Sequence, residues 1–192
     1  DGRGARRAAL RRLAVARAYM RVGQVQFKFR QDDAAEQIYR QALVLLKRLV
    51  ETEPESREYR YQLAAVHHSL VQVVSRTKER LAEATAFADQ ALALTESLAN
   101  EPSALPEWRS SLGVAQNNKS VLSKDAGRLD EAARAASRGR DRAAEDTGDT
   151  TTCFAASCRL NLEARAIAEA RVAASSNAKG EVDEFAAGAV PA

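Results

Sequence analysis

The sequence contains few of the residues that break helices or build sheets. Its 192 residues include nine glycines and four prolines, and aromatic residues make up 5% of the chain. No stretch alternates apolar and polar residues with the period of two that marks a half-buried strand. Alanine, leucine, arginine and glutamate, which suit helices, are abundant instead. This composition predicts an all-α protein.

Long apolar runs and cysteine clusters are also missing. No apolar run approaches the roughly 18 residues of a membrane-spanning helix, and no signal peptide is recognisable, so we expect a cytoplasmic protein. Cys153 and Cys158 are the two cysteines. Their spacing places them about 140° apart on a helix, which suits neither a disulfide nor a metal site. We expect both to be small buried residues.

Motifs of catalysis and cofactor binding are absent as well. His67 and His68 are the only histidines, and adjacent helix positions point about 100° apart, so the two cannot chelate one metal. We expect His67 inside the fold and His68 on the surface. The sequence has no glycine-rich phosphate loop, no G-x-S-x-G elbow and no His-Glu-x-x-His. We therefore expect no catalytic residue, no cofactor, no metal and no enzymatic activity in this chain.

Positive charge is concentrated at one end of the chain. Residues 1–30 contain nine Lys or Arg and one acidic residue, whereas the whole chain has a net charge of +3. A basic segment of this kind can meet nucleic acid, anionic lipid or acidic peptide, or it can be a solvated helix face. No aromatic residues alternate with these arginines as stacking platforms, which disfavours nucleic acid.

The chain repeats itself. "TEPESREYRYQLA" at residues 52–64 is followed by "NEPSALPEWRSSLG" at residues 100–113. In this register Leu63 corresponds to Leu112 and, in the preceding unit, to Val15. Other positions in register are Tyr59 with Trp108, then Gly23 with Val71 and Ser120, then Ala35 with Ala84 and Ala132. Each step is 48 or 49 residues, and self-similarity at such a period indicates a solenoid of helical repeats.

Each unit is predicted to contain two helices with one apolar stripe each. In the first unit the two stripes are Val15, Ala18, Tyr19, Val22, Val25 and Phe29, and then Ala35, Ile38, Tyr39, Ala42, Leu46 and Leu49. Asp32 and Asp33 form a polar break that can cap the second helix. Pro106 and Glu107 suit the first turn of a later helix. The second helix of the third unit offers only small inner residues, Ala132, Ala135, Ala136 and Gly139.

These patterns divide the chain into six segments. We predict a basic N-terminal lead over residues 1–11, repeat 1 over 12–58, repeat 2 over 59–107, a degenerate repeat 3 over 108–148, a capping helix over 149–174 and a disordered tail over 175–192.

The first unit resembles the tetratricopeptide-repeat family. The resemblance lies in Tyr19, Gly23, Ala35, Tyr39 and Ala42, which occur at that family's spacings. The repeat of about 49 residues is longer than the usual length of about 34, and it resembles the long-period type found in bacterial multi-repeat proteins. The resemblance implies a right-handed α-solenoid of antiparallel helix pairs, with about three repeats and a capping helix. It also implies that the tyrosines fill the gap between neighbouring units.

In arrays of this kind the first helix of each pair lines the concave side. The residues that would line it are Arg17, Met20, Arg21, Gln24, Phe27 and Lys28 in the first unit, His68, Gln72 and Arg76 in the second, and Asn117, Asn118 and Lys124 in the third. A basic, hydrogen-bonding groove suits an acidic or carboxylate-ended peptide. The function implied is a non-catalytic protein–protein interaction module, a scaffold or regulatory part. A merely solvated concave face is the alternative.

Two other functions fit the same sequence. Some long-period arrays are attached to serine/threonine protein kinases or other signalling modules. The chain would then be the C-terminal repeat region of a larger bacterial signalling enzyme whose catalytic part precedes Asp1. The other function is binding of nucleic acid through the arginine-rich start, with an affinity that would fall steeply as the salt concentration rises.

Overall fold

The computed structural model describes residues 2–128 and, after them, residues 131, 132, 134, 135, 137 and 138. Across this part of the chain the structure is helical and contains no strand, which confirms the all-α prediction. The elements are α1 (Gly2–Lys28), α2 (Asp32–Thr52), α3 (Arg57–Val74), a 3₁₀ turn (Lys78–Arg80), α4 (Leu81–Ala99) and α5 (Pro106–Asp125). None of these helices is both long and apolar enough to cross a lipid bilayer. The segments 149–174 and 175–192, with Cys153 and Cys158, lie outside the described residues.

Each helix packs mainly against its neighbours along the chain. One apolar cluster joins α1, α2 and α3 and includes Leu13, Leu46 and Leu63. A second joins α3 to α4 and α5 through residues such as Val74 and Leu122. Full burial of one such leucine contributes about 1.5–3 kcal/mol, so these two clusters hold the described helices together.

Local sequence signals place the ends of the helices. Pro106 starts α5 with Glu107 in its first turn, as predicted. Asp32 and Asp33 occupy the first turn of α2, where carboxylates face the positive end of the helix dipole. The expected side-chain cap is absent there, because Gln31 holds the N-cap position and makes no cap hydrogen bond.

The packed side of α1 differs from the stripe that its periodicity suggests. Val15, Val22, Val25 and Phe29 are exposed. The side that faces α2 instead contains small residues and one leucine, with Leu13, Ala16 and Gly23 all buried. Small residues allow two helix backbones to approach closely, and this approach decides which side of α1 is covered.

Helix α1 begins at Gly2 and so includes most of the segment that the sequence analysis sets apart as a basic lead. At the other end, Gly127 has a positive φ of 75° and ends α5 in a turn. Ala132 and Ala135 of the third unit are buried, as their spacing suggests. The Ser120 hydroxyl donates a hydrogen bond of 3.0 Å to the Ala132 carbonyl. Ala136 and Gly139 lie outside the described residues.

A cluster of four charged residues joins α2 to α4. Arg80 donates to both carboxylate oxygens of Glu36 at 2.7 Å, and it also donates to Glu83 at 2.7 Å. Arg40 pairs with the same two glutamates. The hydrogen bonds from Arg80 are the main reason that the pKa of Glu36 falls to about 2, while burial acts in the opposite direction. The cluster therefore depends on an ionised Glu36.

Candidate functional site

A cavity of about 490 Å³ lies between α1 and α3. Its lining residues recur at turn-by-turn spacing on both helices, because residues three and four apart share one helix face. They are Arg17, Met20, Arg21, Gln24, Phe27 and Lys28 from α1, Tyr39 from α2, and Gln62, Ala65, Ser69 and Gln72 from α3. The cavity therefore combines cations, side-chain amides and a small apolar surface.

The contribution of α2 to the cavity is Tyr39, a buried residue packed against Gly23. A Cβ atom built on Gly23 would be 2.6 Å from Cε1 of Tyr39, so the ring occupies the space beside the glycine. Burial raises the pKa of the Tyr39 phenol, and a hydrogen bond with the Ser69 side chain partly opposes this. Tyr39 thus connects all three helices around the cavity and stays neutral at physiological pH.

At one rim of the cavity, three polar side chains are linked by contacts with one another. Arg17 pairs with Glu58 at the start of α3, and Gln62 donates to the same carboxylate at 2.9 Å. The side chains of Arg17 and Glu58 are 43% and 48% exposed. An ion pair so exposed is worth only about 0.2–1 kcal/mol, so a competing carboxylate can replace Glu58 at little cost.

At the opposite end Arg76 contacts the cavity wall from outside. Its guanidinium lies 4.0 Å from the centroid of the Phe27 ring, and it also pairs with Asp32 of α2. A cation–π contact at such a site contributes about 0.5–1 kcal/mol. Arg76 therefore holds Phe27 in place and does not itself line the cavity.

The cavity carries uncompensated positive charge. Within the described residues Arg21 and Lys28 form no ion pair. None of the lining residues from this part of the chain is acidic. A concave surface lined by charges of one sign concentrates the electrostatic field and attracts ligands of the opposite sign. The arrangement can bind carboxylates.

The remaining predicted site residues do not line this cavity. Nδ1 of His68 is 3.3 Å from the Asn118 side-chain nitrogen, a contact that joins α3 to α5. Burial lowers the pKa of His68 to about 4, against a hydrogen bond with the Ser111 backbone that raises it. The His68 side chain is half-buried, which is less exposed than predicted, and it is neutral at physiological pH. Asn117 and Lys124 are half-buried on α5.

His67 lies in the interior, which confirms the expectation from the sequence. Its ring centroid is 5.7 Å from that of Phe87, with the two planes tilted by 44°. Burial lowers the pKa of His67 to about 4, and the neighbouring Lys47 and His68 make smaller electrostatic contributions in the same direction. The described residues contain no group of three or more His, Cys, Asp or Glu placed to hold a metal.

Four lining residues were not predicted as part of a site. The family resemblance gives Tyr39 a packing role, and none of the sequence patterns singles out Gln62, Ala65 or Ser69. The sequence does contain a signal for the last three. Together with Gln72 they are spaced by three, four and three residues, which places them on one helix face. Polar and small residues at this spacing indicate a second wall of the cavity.

Comparison with known proteins assigns this chain to no family. No protein-family model, no curated protein and no solved structure matches it.

Proposed function

We propose that the chain is a tetratricopeptide-like α-solenoid that binds an acidic segment of another protein in the cavity between α1 and α3. The observation that supports this function is the placement of three cations, Arg17, Arg21 and Lys28, around a cavity without an acidic lining residue. Binding of this kind requires no catalytic group.

Two features favour the repeat architecture. Consecutive helices pack on one another, as they do in arrays where each unit contacts only its neighbours. In addition, Tyr59 and Trp108 are both buried at the same position of their helices, 49 residues apart. Equivalent residues with equivalent burial are expected if one unit is stacked on the next.

The cavity residues can pair with the carboxylates, the backbone and the apolar atoms of an acidic peptide. Carboxylates pair with Arg21 and Lys28, and a further one displaces Glu58 from Arg17. The amides of Gln24 and Gln72 can hydrogen-bond to the peptide backbone, while Met20 and Phe27, both partly buried, give apolar contact. Hydrogen bonds to charged groups contribute about 1.5–3 kcal/mol each. The cavity is in the lower half of the usual range of about 300–1,000 Å³ for ligand pockets, so only a short segment enters it.

Fluorescence anisotropy with labelled hexapeptides tests this function. The probes are hexaglutamate with a free and with an amidated C-terminus, and hexalysine as the control. We expect saturable binding of the acidic probes alone. Arg21→Glu/Lys28→Glu should weaken it by about tenfold or more, since two charge-assisted bonds are lost.

The matched control is Arg12→Glu/Arg48→Glu, which changes the net charge equally at two exposed residues outside the cavity. Near-normal binding by this variant supports the cavity as the site. An equal loss of affinity in both variants would show that the binding is general electrostatic attraction, and it would overturn the proposal. So would saturable binding of a single-stranded RNA in place of the peptides, which would favour the nucleic-acid function instead.

A further inference from the structure

Helix α1 has a second surface, which faces away from its packed side. Val15, Val22, Val25 and Phe29 are 45%, 46%, 51% and 73% exposed, and Ala18 beside them is also exposed. The five residues follow one another at steps of three and four. This is the a/d spacing by which one helix packs along another. We call these five residues the outer seam.

The equivalent residues of α3 are covered by a helix. Positions 48 residues after Val15, Ala18, Val22 and Val25 are Leu63, Val66, Leu70 and Val73. These four are at most 7% exposed, and they belong to the same apolar cluster as Leu43, Leu46 and Leu49 of α2. The repeat thus gives α1 the same apolar surface that, on α3, is buried in the cluster shared with α2. A helix of the α2 kind fits the outer seam by shape and by spacing.

The positive charge of α1 indicates which residues a helix that covers the outer seam should contain. Arg11 and Arg7 extend the outer seam toward the start of α1 in steps of four residues. Both are exposed, and neither forms an ion pair within the described residues. Helix α1 contains no acidic residue between Gly2 and Lys28. A helix that covers the outer seam therefore meets valines along most of its length and two unpaired arginines at one end.

We propose that the outer seam docks an amphipathic helix of another protein, with a leucine- and alanine-rich stripe and acidic residues that reach Arg7 and Arg11. A second copy of α1 is a poor occupant, since α1 contains no acidic residue that could pair with these two arginines in either orientation. A lipid surface is also a poor fit. Helices that lie on membranes present a broad apolar face with Trp, Phe or Leu, whereas the outer seam is one residue wide and mostly valine.

The probe is a synthetic helix built from residues 32–52, because α2 covers the equivalent face of α3. Arg40, Lys47 and Arg48 are replaced by Glu to make it acidic. Gln37 is replaced by Glu and Gln41 by Lys, both at exposed positions of α2, and the two side chains are condensed to a lactam. This bridge keeps the isolated peptide helical, and circular dichroism verifies this. Binding of the labelled peptide to the full chain is followed by fluorescence anisotropy.

We expect saturable binding by the wild-type chain and a loss of about tenfold or more in Val22→Lys/Val25→Lys, because the apolar contact is removed while the charge stays positive. Val44→Lys is the matched control, since Val44 is 51% exposed on α2, away from the outer seam. It should bind as the wild type does. Arg7→Gln/Arg11→Gln should weaken binding several-fold, with a smaller salt dependence.

Three kinds of result would overturn the proposal. The first concerns the peptide: no saturable binding although it is demonstrably helical, or equal binding by wild type and Val22→Lys/Val25→Lys. The second is a wild-type dimer in sedimentation velocity that this double variant abolishes, which would make a second copy the occupant. The third is cosedimentation with phosphatidylserine vesicles that depends on Val22 and Val25 in the absence of peptide binding. None of these variants alters a residue of the cavity, so the outcome is independent of the proposed function.

Discussion

The ring of Tyr39 lies directly against the backbone of Gly23, with Cε1 and Cδ1 placed 2.6 Å and 2.8 Å from the position of a Cβ atom at residue 23. Tyr39 is buried among α1, α2 and α3 and lines the cavity, so a methyl group at residue 23 either forces the ring toward the cavity or pushes α1 away from α2. We therefore expect Gly23→Ala to destabilise the protein by about 1–3 kcal/mol, the usual cost of overpacking. Urea denaturation followed by circular dichroism measures this.

Gly4 provides the control for that experiment. It lies in the same helix, and a Cβ atom there would meet nothing within 4 Å. Gly4→Ala should stabilise the protein slightly, by up to about 1 kcal/mol, because alanine is the better helix former. If both variants were stabilised alike, the close approach at Gly23 would be wrong.

The cluster around Glu36 predicts a loss of stability in acid. Since the folded pKa of Glu36 is about 2 and its ordinary value is 4.5, its contribution is complete above pH 4.5 and disappears as the pH falls toward 2. Glu36→Gln should cost about 1–2 kcal/mol at pH 7, a value reduced for the partial exposure of the arginines. The difference from wild type should shrink toward zero near pH 2.

Urea titrations at several pH values follow that difference. Glu79→Gln is the comparison, since Glu79 is an exposed residue beside the cluster, and substitutions of that kind change stability by less than about 0.5 kcal/mol. A gap between wild type and Glu36→Gln that stayed constant from pH 7 to pH 2.5 would contradict the assignment.

The burial of the two histidines predicts a separate pH dependence of stability, at higher pH than that of Glu36. The pKa values of His67 and His68 are lowered from 6.5 to about 4 by burial. The unfolded chain therefore takes up protons first, and stability falls as the pH drops from about 6.5 to about 4. His67→Gln, which introduces the residue found at the equivalent position of α5, should reduce the slope near pH 5 by about 1.4 kcal/mol per pH unit.

Histidine C2 proton shifts in NMR spectra check the same prediction directly. Both rings should remain neutral at pH 5.5. An imidazole of His67 that titrated near pH 6.5 would show that its surroundings are more hydrated than the structure indicates.

The pairing of Arg17 with Glu58 predicts a variant that binds better than the wild type. Glu58→Gln frees the Arg17 guanidinium for the ligand and leaves an amide beside Gln62. Because the exposed pair is worth about 0.2–1 kcal/mol, acidic hexapeptides should bind up to about fivefold more tightly. Glu55→Gln, which removes an exposed acid outside the cavity, tests for a mere change in net charge. Equal affinities for wild type and Glu58→Gln would exclude Arg17 from ligand binding.

Much of the fold follows from the sequence by local rules. The helical class depends on composition, and the start of α5 depends on Pro106. The burial of Tyr59 and Trp108 agrees with their positions in the repeat. Predicting these features requires only the neighbouring residues along the chain, or the comparison of one repeat with the next.

The covered side of α1 could not be predicted in the same way. The helix has one face with valines and another with small residues, and apolar periodicity alone favours the first. Gly23 was the informative residue, since a glycine within a helix permits the close approach of a partner such as Tyr39. The contact of His68 with Asn118 spans 50 residues and depends on how units stack, which no local pattern specifies.

The order in which the helices pack also limits how far an effect can spread through the molecule. The cavity is built from α1, α2 and α3, and α5 reaches these helices mainly through α4. A bound ligand stabilises only the states in which its site is intact. Amide hydrogen exchange should therefore slow in the first three helices on binding and change little in α5, where local opening leaves the site in place. The chain would respond to its partner by stiffening at one end.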